Sequence, residues 1–554
     1  MRVLTRNIKN LIKKYTGYHN PNLPDIKKLN LIQNLSKNKK FKNQKILIAT
    51  SSGGLYPQLI FESILGIALD FKGADVEFLL CDGILPACIM CTTVNISEEE
   101  LIKNGPKSLC SNCYFDGYNY LKKSNIKINK LSNFLLNNDK IKAKKICKRI
   151  KSKKIKNFIF DKIPVGNHAY AGALRYYATT DLDSEENGKK VLKKYFEASL
   201  LSKLSLDNFF EKKSYDLIIM NHGIYVPQGI INEYAKKKKY KIVTWFPWYR
   251  KRSYCFFRGD TYQKEYLTEK NSLWENLRLT KEKKDKLSDY LISRKTGKND
   301  WRFYYENPSF DKDLFFKRYD IDKNKPIIGM ATNVIWDAQI DYPKQFFNSI
   351  LDWVFHTIKF FKKTPNMQLV IRVHPAEVTS DRKAKQKIAE EINKKFKNLP
   401  KNIIVIPPED PISSYTIFEN CNSAIIYASK IGIELCAAGT PVIVVGPGQI
   451  KNKKIAYDVN SYKQYNHILN QLPLSKKKYL NKHKILRAKK YAYHAFFRKP
   501  TLIKSVYLTE DRWPNISIDK NFYKILKRNK DPGLDFICDA ILNEKQFIND
   551  KNEF

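Results

Sequence analysis

One stretch of this chain, Ala424 to Gly446, constrains the fold more than any other: AIIYASKIGIELCAAGTPVIVVG. It begins with an apolar run at 424–427 and ends with a β-branched run at 441–445. Both runs predict buried strands, because they do not alternate with polar residues. The segment between them has helical composition, and Gly439 is a typical helix stop. The stretch therefore predicts a β-α-β unit of a parallel sheet.

The first turn of this unit carries Ser429 and Lys430. In such a unit the turn after the strand faces a crevice at the carboxyl edge of the sheet. Free backbone N–H groups and the helix dipole favour an anion there. Ser429 would add a hydroxyl donor, Lys430 a full charge, and Glu434 an acceptor for a sugar or ribose hydroxyl. The structural alternative is that Ser429 caps the helix and Lys430 pairs with Glu434.

Length and charge indicate how many domains the chain has and which partners it could bind. A chain of 554 residues is too long for one core, so two domains with appendages are predicted. The net charge of +45 would suit nucleic acid or an anionic membrane. Because the lysines are spread through every segment, we interpret this charge as background composition and do not expect nucleic acid as a partner.

The N-terminal segment predicts a peripheral location. No run of about 20 apolar residues could span a bilayer, and no apolar signal core is present. We therefore expect a cytoplasmic protein with reduced cysteines. Arg2–Tyr15 is a basic amphipathic pattern that either lies on the anionic inner face of the cytoplasmic membrane or docks on the protein itself. The polar remainder of residues 1–44 is interpreted as a linker.

The first domain is predicted to begin at Lys45, where KILIA forms a buried strand. A turn of small residues follows it. A Gly-rich turn between a strand and a helix lets a ligand approach the backbone closely. The second predicted strand ends in an acidic residue, Asp82. The turn residues with a predicted acceptor-side role are Ser51, Ser52, Gly53 and Gly54.

The sharpest local motif is a pair of CxxC sequences, Cys88 with Cys91 and Cys110 with Cys113, separated by eighteen residues. This spacing is typical of a structural zinc site, in which each knuckle places two thiolates on one side of a tight turn. We therefore predict a zinc-knuckle insertion with four cysteine ligands at about residues 84–118. The same thiolates could instead hold an iron–sulfur cluster, or remain disulfides or free thiols.

Two further segments of the first half offer polar side chains for chemistry. His222 and Tyr225 follow the apolar strand at 216–220, and a histidine just past a strand's carboxyl end is well placed for proton transfer. His168 and Arg175 lie in an earlier helical run and are candidate acceptor-site groups. The alternatives are a hydrogen-bonded structural histidine and ordinary surface residues.

The second half repeats the alternation of strand, turn and helix from Lys325 onward. Predicted strands at 327–330, 368–373 and 403–406 are each followed by polar residues. Because the carboxyl ends of parallel strands meet at one edge of a sheet, these residues should converge on the crevice of the opening unit. The predicted donor-side residues are Asn333, Arg372, His374, Glu377, Ser413, Ser414, Ser429, Lys430 and Glu434.

Two α/β halves with these motifs resemble the GT-B glycosyltransferases, and more narrowly the bacterial capsule polysaccharide biosynthesis glycosyltransferases, including those that use CMP-activated acidic sugars. The motifs are Arg372-Val373-His374-Pro375, Tyr427-Ala428-Ser429-Lys430 and Gly439-Thr440-Pro441. The resemblance implies an α/β fold of two Rossmann-like domains facing across a cleft. An acceptor domain would span 45–322, a nucleotide-sugar domain 323–470, and a helical segment 471–554.

The resemblance also implies a reaction. A sugar would pass from a CMP- or UDP-linked donor to a saccharide or lipid-linked acceptor in the biosynthesis of a surface polysaccharide, capsule or lipopolysaccharide. His374 would lie near the donor phosphate, which gains charge as it leaves, and Ser429 would help to hold it. A base must take the acceptor proton, and His222 is the first candidate, ahead of His168 and Asp82. No catalytic metal is expected.

Two other classes fit parts of the sequence. A nucleotide-sugar epimerase shares the two-domain form but releases a rearranged sugar without any acceptor. A nucleic-acid-binding zinc protein would account for the charge and the CxxC pairs, and it predicts steeply salt-dependent binding.

Overall fold

The structure, a computed structural model, describes residues 23, 43–305, 307–337, 345–380, 383–474, 480–508, 516–518 and 530–550. The predicted membrane-surface segment Arg2–Tyr15 lies outside these residues. No described helix is long and apolar enough to cross a membrane.

Two compact units divide the chain. The first comprises Met1–Tyr176, Asp181–Tyr262 and Lys499–Phe554, and the second comprises Tyr177–Thr180 and Gln263–Arg498. Residues 263–322 thus go with the second unit and the last part of the chain goes with the first, whereas the boundary predicted from the sequence lies between 322 and 323.

The described strands, in chain order, are β1 Lys45–Ser51, β2 Asp75–Leu80, β3 Lys127–Lys130, β4 Leu217–Asn221, β5 Lys241–Pro247, β6 Ser253–Arg258, β7 Ile327–Ala331, β8 Gln368–Arg372, β9 Ile403–Ile406, β10 Ser423–Ile426, β11 Val442–Val444, β12 Tyr457–Asp458, β13 Thr501–Leu502, β14 Val506–Leu508 and β15 Ile516–Ile518.

The described α-helices are α1 Tyr56–Phe71, α2 Met90–Thr93, α3 Glu98–Asn104, α4 Lys107–Lys122, α5 Asn137–Arg149, α6 Ser152–Ile155, α7 Val165–Tyr177, α8 Gly188–Lys212, α9 Gln228–Lys237, α10 Tyr262–Thr268, α11 Lys281–Thr296, α12 Lys312–Arg318, α13 Ile350–Phe361, α14 Ala376–Thr379, α15 Ile388–Lys395, α16 Ser414–Glu419, α17 Ile431–Ala438, α18 Tyr462–Leu469, α19 Lys482–Tyr493 and α20 Pro532–Leu542. A π-helical turn, His494–Arg498, follows α19.

The first unit is built on a seven-stranded sheet with the order β3-β2-β1-β4-β5-β6-β13. Its first five strands are parallel, and β6 and β13 are antiparallel additions at one edge. Strand β1 is buried at every position after Lys45, as a continuous apolar run requires when helices cover both faces. The chain therefore reverses its direction of winding between β1 and β4, and this is the switch point of the first sheet.

The second unit is built on a six-stranded sheet with the order β9-β8-β7-β10-β11-β12, and all its strands are parallel. Its switch point lies between β7 and β10. The β-α-β unit predicted at 424–446 is present as β10, α17 and β11, and Gly439 ends α17 with the left-handed backbone that glycine tolerates, at φ +97°. The predicted α/β class with two parallel-stranded sheets is confirmed.

The structure does not contain the predicted zinc-knuckle insertion. Cys91 lies in the short helix α2, and Cys110 and Cys113 lie together inside α4, where residues three apart share one face rather than flanking a tight turn. Helix α4 is part of the crossover from β2 to β3, so residues 84–118 belong to the connection of the sheet itself. Among the described residues, no three His, Cys, Asp or Glu side chains are arranged to hold a metal ion.

Candidate functional site

The loops that follow β7 and β10 meet at the switch point of the second sheet. The backbone N–H of Ala428, after β10, donates to Asn333 Oδ1, after β7, at 3.2 Å. Strand pairing carries Ile426 beside Ala331, so both loops leave the sheet at the same edge. Two of the segments predicted to form the donor site are therefore adjacent, and the Asn333 carbonyl ties them together.

The structural alternative for Ser429, Lys430 and Glu434 is not what the structure contains. Helix α17 begins after Lys430, and within the described residues no side chain caps its first turn by a hydrogen bond. The Glu434 carboxylate instead pairs with Arg294 Nη2 at 2.9 Å and accepts a hydrogen bond from the Tyr415 hydroxyl at 2.5 Å. Ser429 is thus not the cap of α17. The charge of Glu434 is paired with Arg294, which was not predicted from the sequence.

His374 follows β8 and is held as a neutral imidazole. Its Nδ1 accepts a hydrogen bond from the backbone N–H of Ala376 at 3.1 Å, so the ring proton of the neutral form lies on Nε2. Burial, helped by the charges of Lys430 and Arg372, lowers the pKa of His374 to about 4. The backbone N–H of His374 donates to Thr332 Oγ1 at 3.0 Å, which fixes the loop against the end of β7. The ring is therefore set up to donate through Nε2.

A cavity of about 110 Å³ opens beside these loops within the second unit. Its lining brings together three residues predicted from the sequence and several cationic and aromatic side chains that were not predicted. Burial, together with the charge of Arg294, lowers the pKa of the partly buried Lys430 to about 8. At neutral pH the cavity wall therefore carries a charged Lys430. The principal lining residues are Arg294, Asp300, Arg302, Tyr304, Pro375, Ser413, Ser414, Tyr415 and Lys430.

A buried ion network supports one wall of this cavity. Arg294 Nη1 donates to Asp300 Oδ2 at 2.6 Å, while its Nη2 pairs with Glu434. Tyr290 donates its hydroxyl to Asp300 at 2.7 Å. The Arg294 side chain is only 3% exposed. Burial works against its charge, but Glu434 and Asp300 raise its pKa well above the ordinary range, so it remains a cation that fixes α17 to α11.

Three other predicted donor-side residues have roles within the protein. Arg372 donates to the carbonyls of Pro407 at 2.6 Å and Asp410 at 2.9 Å, so its guanidinium anchors the loop after β9. Ser413 caps α16 by accepting from the N–H of Tyr415 at 3.2 Å. Glu377 is fully buried, and burial raises the pKa of its carboxyl to about 7.

The segment that carries Arg294, Asp300, Arg302 and Tyr304 was not predicted, because no candidate site residue was identified between 262 and 322 in the sequence. One signal was available. Residues 301–305 read WRFYY, an aromatic and basic run of the kind that lines sugar and nucleotide sites.

The Gly-rich turn after β1 packs against protein in the first unit. A Cβ on Gly53 would lie 2.3 Å from the Cys113 carbonyl oxygen, and one on Gly54 would lie 3.2 Å from Cys113 Sγ. Ser51, which has a left-handed φ of +63°, donates its hydroxyl to the Ala49 carbonyl at 2.9 Å. The backbone of Ser52 donates to the Thr50 carbonyl at 2.6 Å. Close approach of a helix, rather than of a ligand, accounts for the small residues.

Two of the three candidate bases are engaged in structural contacts. Asp82 accepts from both the backbone N–H and the hydroxyl of Ser132, and so holds the turn after β3. His168 is 5% exposed, and its Nδ1 lies 2.7 Å from the Ile224 carbonyl oxygen. These contacts indicate a structural role for both residues.

His222, the third candidate base, lies in the loop after β4 at the switch point of the first sheet. Its φ of +54° is unusual for a residue with a side chain, and Gly223 next to it also has a positive φ, +70°. The ring is partly exposed and tilts against Phe246, with centroids 4.5 Å apart. In the same loop, Tyr225 lies under the Arg175 guanidinium at 4.8 Å and accepts from its Nη1 at 3.3 Å. Arg175 and Tyr225, both predicted as acceptor-side residues, are thus in contact with each other.

One buried carboxyl beneath the same switch point was not predicted. Glu62 of α1 accepts from Trp245 Nε1 at 2.9 Å and from Gln58 Nε2 at 3.1 Å. Burial raises its pKa to about 7. A glutamate in the middle of a largely apolar helix was the available signal.

A family model described as "Capsule polysaccharide biosynthesis protein" matches residues 257–491. Over these residues the chain is similar to the capsule polysaccharide biosynthesis family. The match covers nearly all of the second unit, including the loops after β7, β8 and β10. It confirms the interpretation of the sequence as a glycosyltransferase of capsule polysaccharide biosynthesis, and it does not favour the nucleic-acid-binding alternative. No curated protein matches the chain.

Solved structures similar to the chain include transferases and an epimerase. The β-Kdo 2,4-transferase KpsC of Thermosulfurimonas dismutans is 11% identical, with 56% of this chain and 87% of that chain covered and a TM-score of 0.33. The β-Kdo 2,7-transferase KpsC of the same organism is 13% identical, with 62% and 90% covered and a TM-score of 0.31. The UDP-GlcNAc 2-epimerase of Neisseria meningitidis is 11% identical, with 82% and 99% covered and a TM-score of 0.23. Likeness at this level does not identify a substrate.

Proposed function

We propose that the chain transfers a sugar from a nucleotide-sugar donor to a saccharide or lipid-linked acceptor, and that it binds the donor phosphate at the switch point of the second sheet. The observation that carries this proposal is the neutral His374, whose Nδ1 accepts from the protein and whose Nε2 proton is left to donate, beside the charged Lys430.

The two residues would act at different points of the reaction. Lys430 and the first N–H groups of α17 attract the donor phosphate in the ground state. As the glycosidic bond breaks, negative charge grows on the leaving phosphate, and a donor placed in advance gains strength with that charge. His374 Nε2–H suits this second role, because a neutral imidazole adds a hydrogen bond without binding the intact donor by charge.

The acceptor hydroxyl must lose a proton, and His222 is the candidate base that the site geometry favours. Asp82 and His168 are held in structural contacts, whereas His222 occupies a strained position at a strand end. We also propose that the donor nucleotide is CMP or UDP. The N-terminal segment Arg2–Tyr15 would contact an anionic membrane surface.

A binding screen followed by a transfer assay tests this function. The full-length chain is incubated with CMP, UDP, GDP and their sugars, and thermal unfolding is measured, because a ligand that binds only the folded state raises the Tm. The nucleotide that stabilises the protein is then supplied as its sugar with saccharide acceptors. We expect product only when an acceptor is present. A rearranged sugar released without any acceptor would establish the epimerase alternative instead.

Ser429→Ala provides a residue-level test of the same site. Loss of one hydrogen bond to the phosphate should weaken nucleotide binding by about 1 kcal/mol and leave the Tm of the free protein unchanged. Ser461→Ala is the control, because Ser461 caps α18 in the same unit. It should lower the Tm without altering nucleotide binding.

A further inference from the structure

The segment that follows β3 in the first unit concentrates positive charge. Residues 136–162 contain eleven lysines and arginines and two aspartates, which gives a net charge of +9. The charge per residue is about four times the average of the chain, which carries +45 over 554 residues. Ten of the eleven cationic side chains are exposed. We call the exposed side chains of residues 136–162 the basic surface.

The two aspartates of this segment are engaged by the protein itself. Asp139 accepts a hydrogen bond from the backbone N–H of Leu136 at 3.0 Å and another from Asn208 Nδ2 at 2.8 Å. Asp161 forms an ion pair with the buried Lys203. Their charges are thus partly balanced within the protein, and the basic surface presents mainly cations to solvent.

Large apolar side chains are exposed among these cations. Leu136 is 56% exposed, Ile141 is 51% exposed and Ile159 is 62% exposed. Three of the nine large apolar side chains that are exposed in the described residues therefore lie in this one short segment. Single exposed apolar residues are ordinary on a protein surface, but a group of them rimmed by polar residues marks an interaction site.

A groove of about 690 Å³ brings the two kinds of side chain together. Its lining includes Ile141, Lys145 and Arg149 of α5, together with Phe160. The Lys142 ammonium lies 5.2 Å from the centre of the Phe160 ring. Cationic and apolar side chains therefore share one face of the first unit.

The backbone beneath the basic surface is fixed by internal contacts. Phe160 and Ile163 exchange two backbone hydrogen bonds, at 2.9 and 3.0 Å, and so close a tight turn beside Ile159. Ile155 of α6 is fully buried, and a Cβ on Gly166 would clash with its carbonyl oxygen. The surface is thus formed before any partner binds, which lowers the entropy cost of binding.

We propose that the basic surface docks the first unit on an anionic lipid bilayer. Lysine and arginine side chains attract anionic headgroups, and aliphatic side chains between them enter the boundary between headgroups and acyl chains. An acidic saccharide would also attract the cations, but it would not account for three exposed aliphatic side chains.

Charge disfavours two other occupants of this surface. A second copy of the chain would bring two strongly cationic surfaces together. Residues 1–42 contain eleven lysines and arginines and one aspartate, so this segment would be repelled in the same way. An anionic partner is the one that the charge of the surface complements.

The position of the surface gives docking a consequence for the fold. Helix α5 begins shortly after β3 ends, and its first turn is therefore near the carboxyl edge of the first sheet. The loop after β4, which carries His222, leaves the sheet at the same edge. A bilayer bound at the basic surface would lie beside this edge. The inference goes beyond the proposed function and does not rest on the transfer reaction.

Vesicle sedimentation with the full-length chain tests the proposal, and no nucleotide sugar is added, so the result is independent of transfer. One set of vesicles contains phosphatidylcholine alone, and the other contains phosphatidylcholine mixed with phosphatidylglycerol. We expect binding to the mixed vesicles only, and the affinity should fall as the salt concentration is raised. Equal binding to both sets, or binding to neither, would overturn the proposal.

A charge variant tests whether this surface is responsible. Each lysine or arginine near an anionic membrane contributes about fivefold in affinity, so Lys145→Gln combined with Arg149→Gln should weaken binding about 30-fold. Lys281→Gln combined with Lys284→Gln is the control, because it removes two exposed charges from α11 in the second unit. Equal losses in both variants would assign binding to net charge and overturn the proposal.

An apolar variant distinguishes a bilayer from an acidic saccharide. Ile141→Asn combined with Ile159→Asn leaves the net charge unchanged and should weaken vesicle binding about tenfold, because two aliphatic side chains no longer enter the bilayer. Ile292→Asn, at a position 61% exposed in α11, is the control and should bind as the parent does. Both variants should keep the parent Tm, since the replaced side chains are exposed. Vesicle binding at the parent level by the double variant would overturn docking on a bilayer.

Discussion

The carboxyl edges of the two sheets have the same topology and different contents. Both sheets reverse their winding beside their first strand, so each presents a crevice of the kind that binds ligands in α/β proteins. At the second edge, Lys430 lines a cavity, and the ring of His374 lies 5.2 Å from that of Tyr304, which lines the same cavity. At the first edge, the turn after β1 is filled by α4 and its cysteines, while the loop after β4 presents a partly exposed histidine. A shared strand order thus predicts where a site can form, and the packing of the crossover helices decides whether one does.

The largest effect should come from breaking the network behind the second edge. Arg294→Met leaves Asp300 and Glu434 buried without their cation, which typically costs about 3–5 kcal/mol of unfolding free energy. Chemical denaturation of the purified variant measures it. Lys394→Met, which breaks an exposed pair with Glu391, is the control and should cause no measurable change. If Arg294→Met were as stable as the parent, the network would not be what holds this edge.

His374→Ala should separate chemistry from binding at the second edge. Removing one donor that stabilises developing charge lowers kcat by about 10²–10³, while the Kd for the nucleotide product changes little. Steady-state kinetics and calorimetry measure the two quantities. His467→Ala, on the exposed face of α18, is the control. If activity fell only in proportion to the loss of folded protein, His374 would have a purely structural role.

The same variant has a pH signature. Because the folded pKa of His374 is about 4 and the ordinary value is 6.5, the unfolded chain binds the extra proton between these values. His374 therefore makes the unfolding free energy fall as the pH is lowered from 6.5 to 4. His374→Ala should flatten that part of the stability profile.

Lys430→Met should weaken donor binding at the second edge. A hydrogen bond to a charged group contributes about 1.5–3 kcal/mol, so the Kd for the nucleotide should rise about 10- to 100-fold. Because the pKa of Lys430 is about 8 in the free protein, affinity in the parent should also begin to fall as the pH rises above 8, and the variant should lack this dependence. Lys463→Met, an exposed lysine of α18, is the control. An unchanged Kd would show that Lys430 does not contribute to nucleotide binding.

Gly53→Ala should have the smallest effect and should mark the first edge as packed. The new methyl group would meet the Cys113 carbonyl oxygen, and overpacking of this kind typically costs about 1–3 kcal/mol. Acceptor KM should not change. Ser52→Ala, in the same turn, adds no volume and should be neutral in both measurements. If Gly53→Ala instead raised the acceptor KM and left stability unchanged, this turn would be a ligand site, and the two edges would not differ in the way described.

Most of the fold could be predicted from the sequence, because buried parallel strands leave a local signal. Apolar runs with polar ends mark β1, β4, β7, β8 and β10 without any knowledge of their neighbours. The polar residues at those ends were found for the same reason, including Lys430 and His374. The role of Gly53 could not be predicted in this way, because a glycine that lets a ligand approach and one that lets a helix approach have the same local sequence.

The supporting network could not be predicted, because its members are far apart along the chain. Arg294 and Glu434 are separated by 140 positions, and neither lies in a pattern that points to the other. The CxxC pairs present a different difficulty. Their spacing was interpreted as turns, but the second pair lies within an amphipathic helix that packs on the sheet, and tertiary packing overrode the motif.

The path of the chain between the units has a consequence for how the protein is made. Strand β13, after residue 500, completes the first sheet beside β6, and α20 contributes Leu534, Ile537 and Ile541 to the same core as α1. The ribosome releases the second unit in full before it releases these residues. Although domains usually fold from the N-terminus as they emerge, the first unit must wait with an unfinished sheet edge and an uncovered α1 until synthesis is almost over. A chain that stalls near residue 500 would therefore expose apolar surface at its beginning rather than at its end.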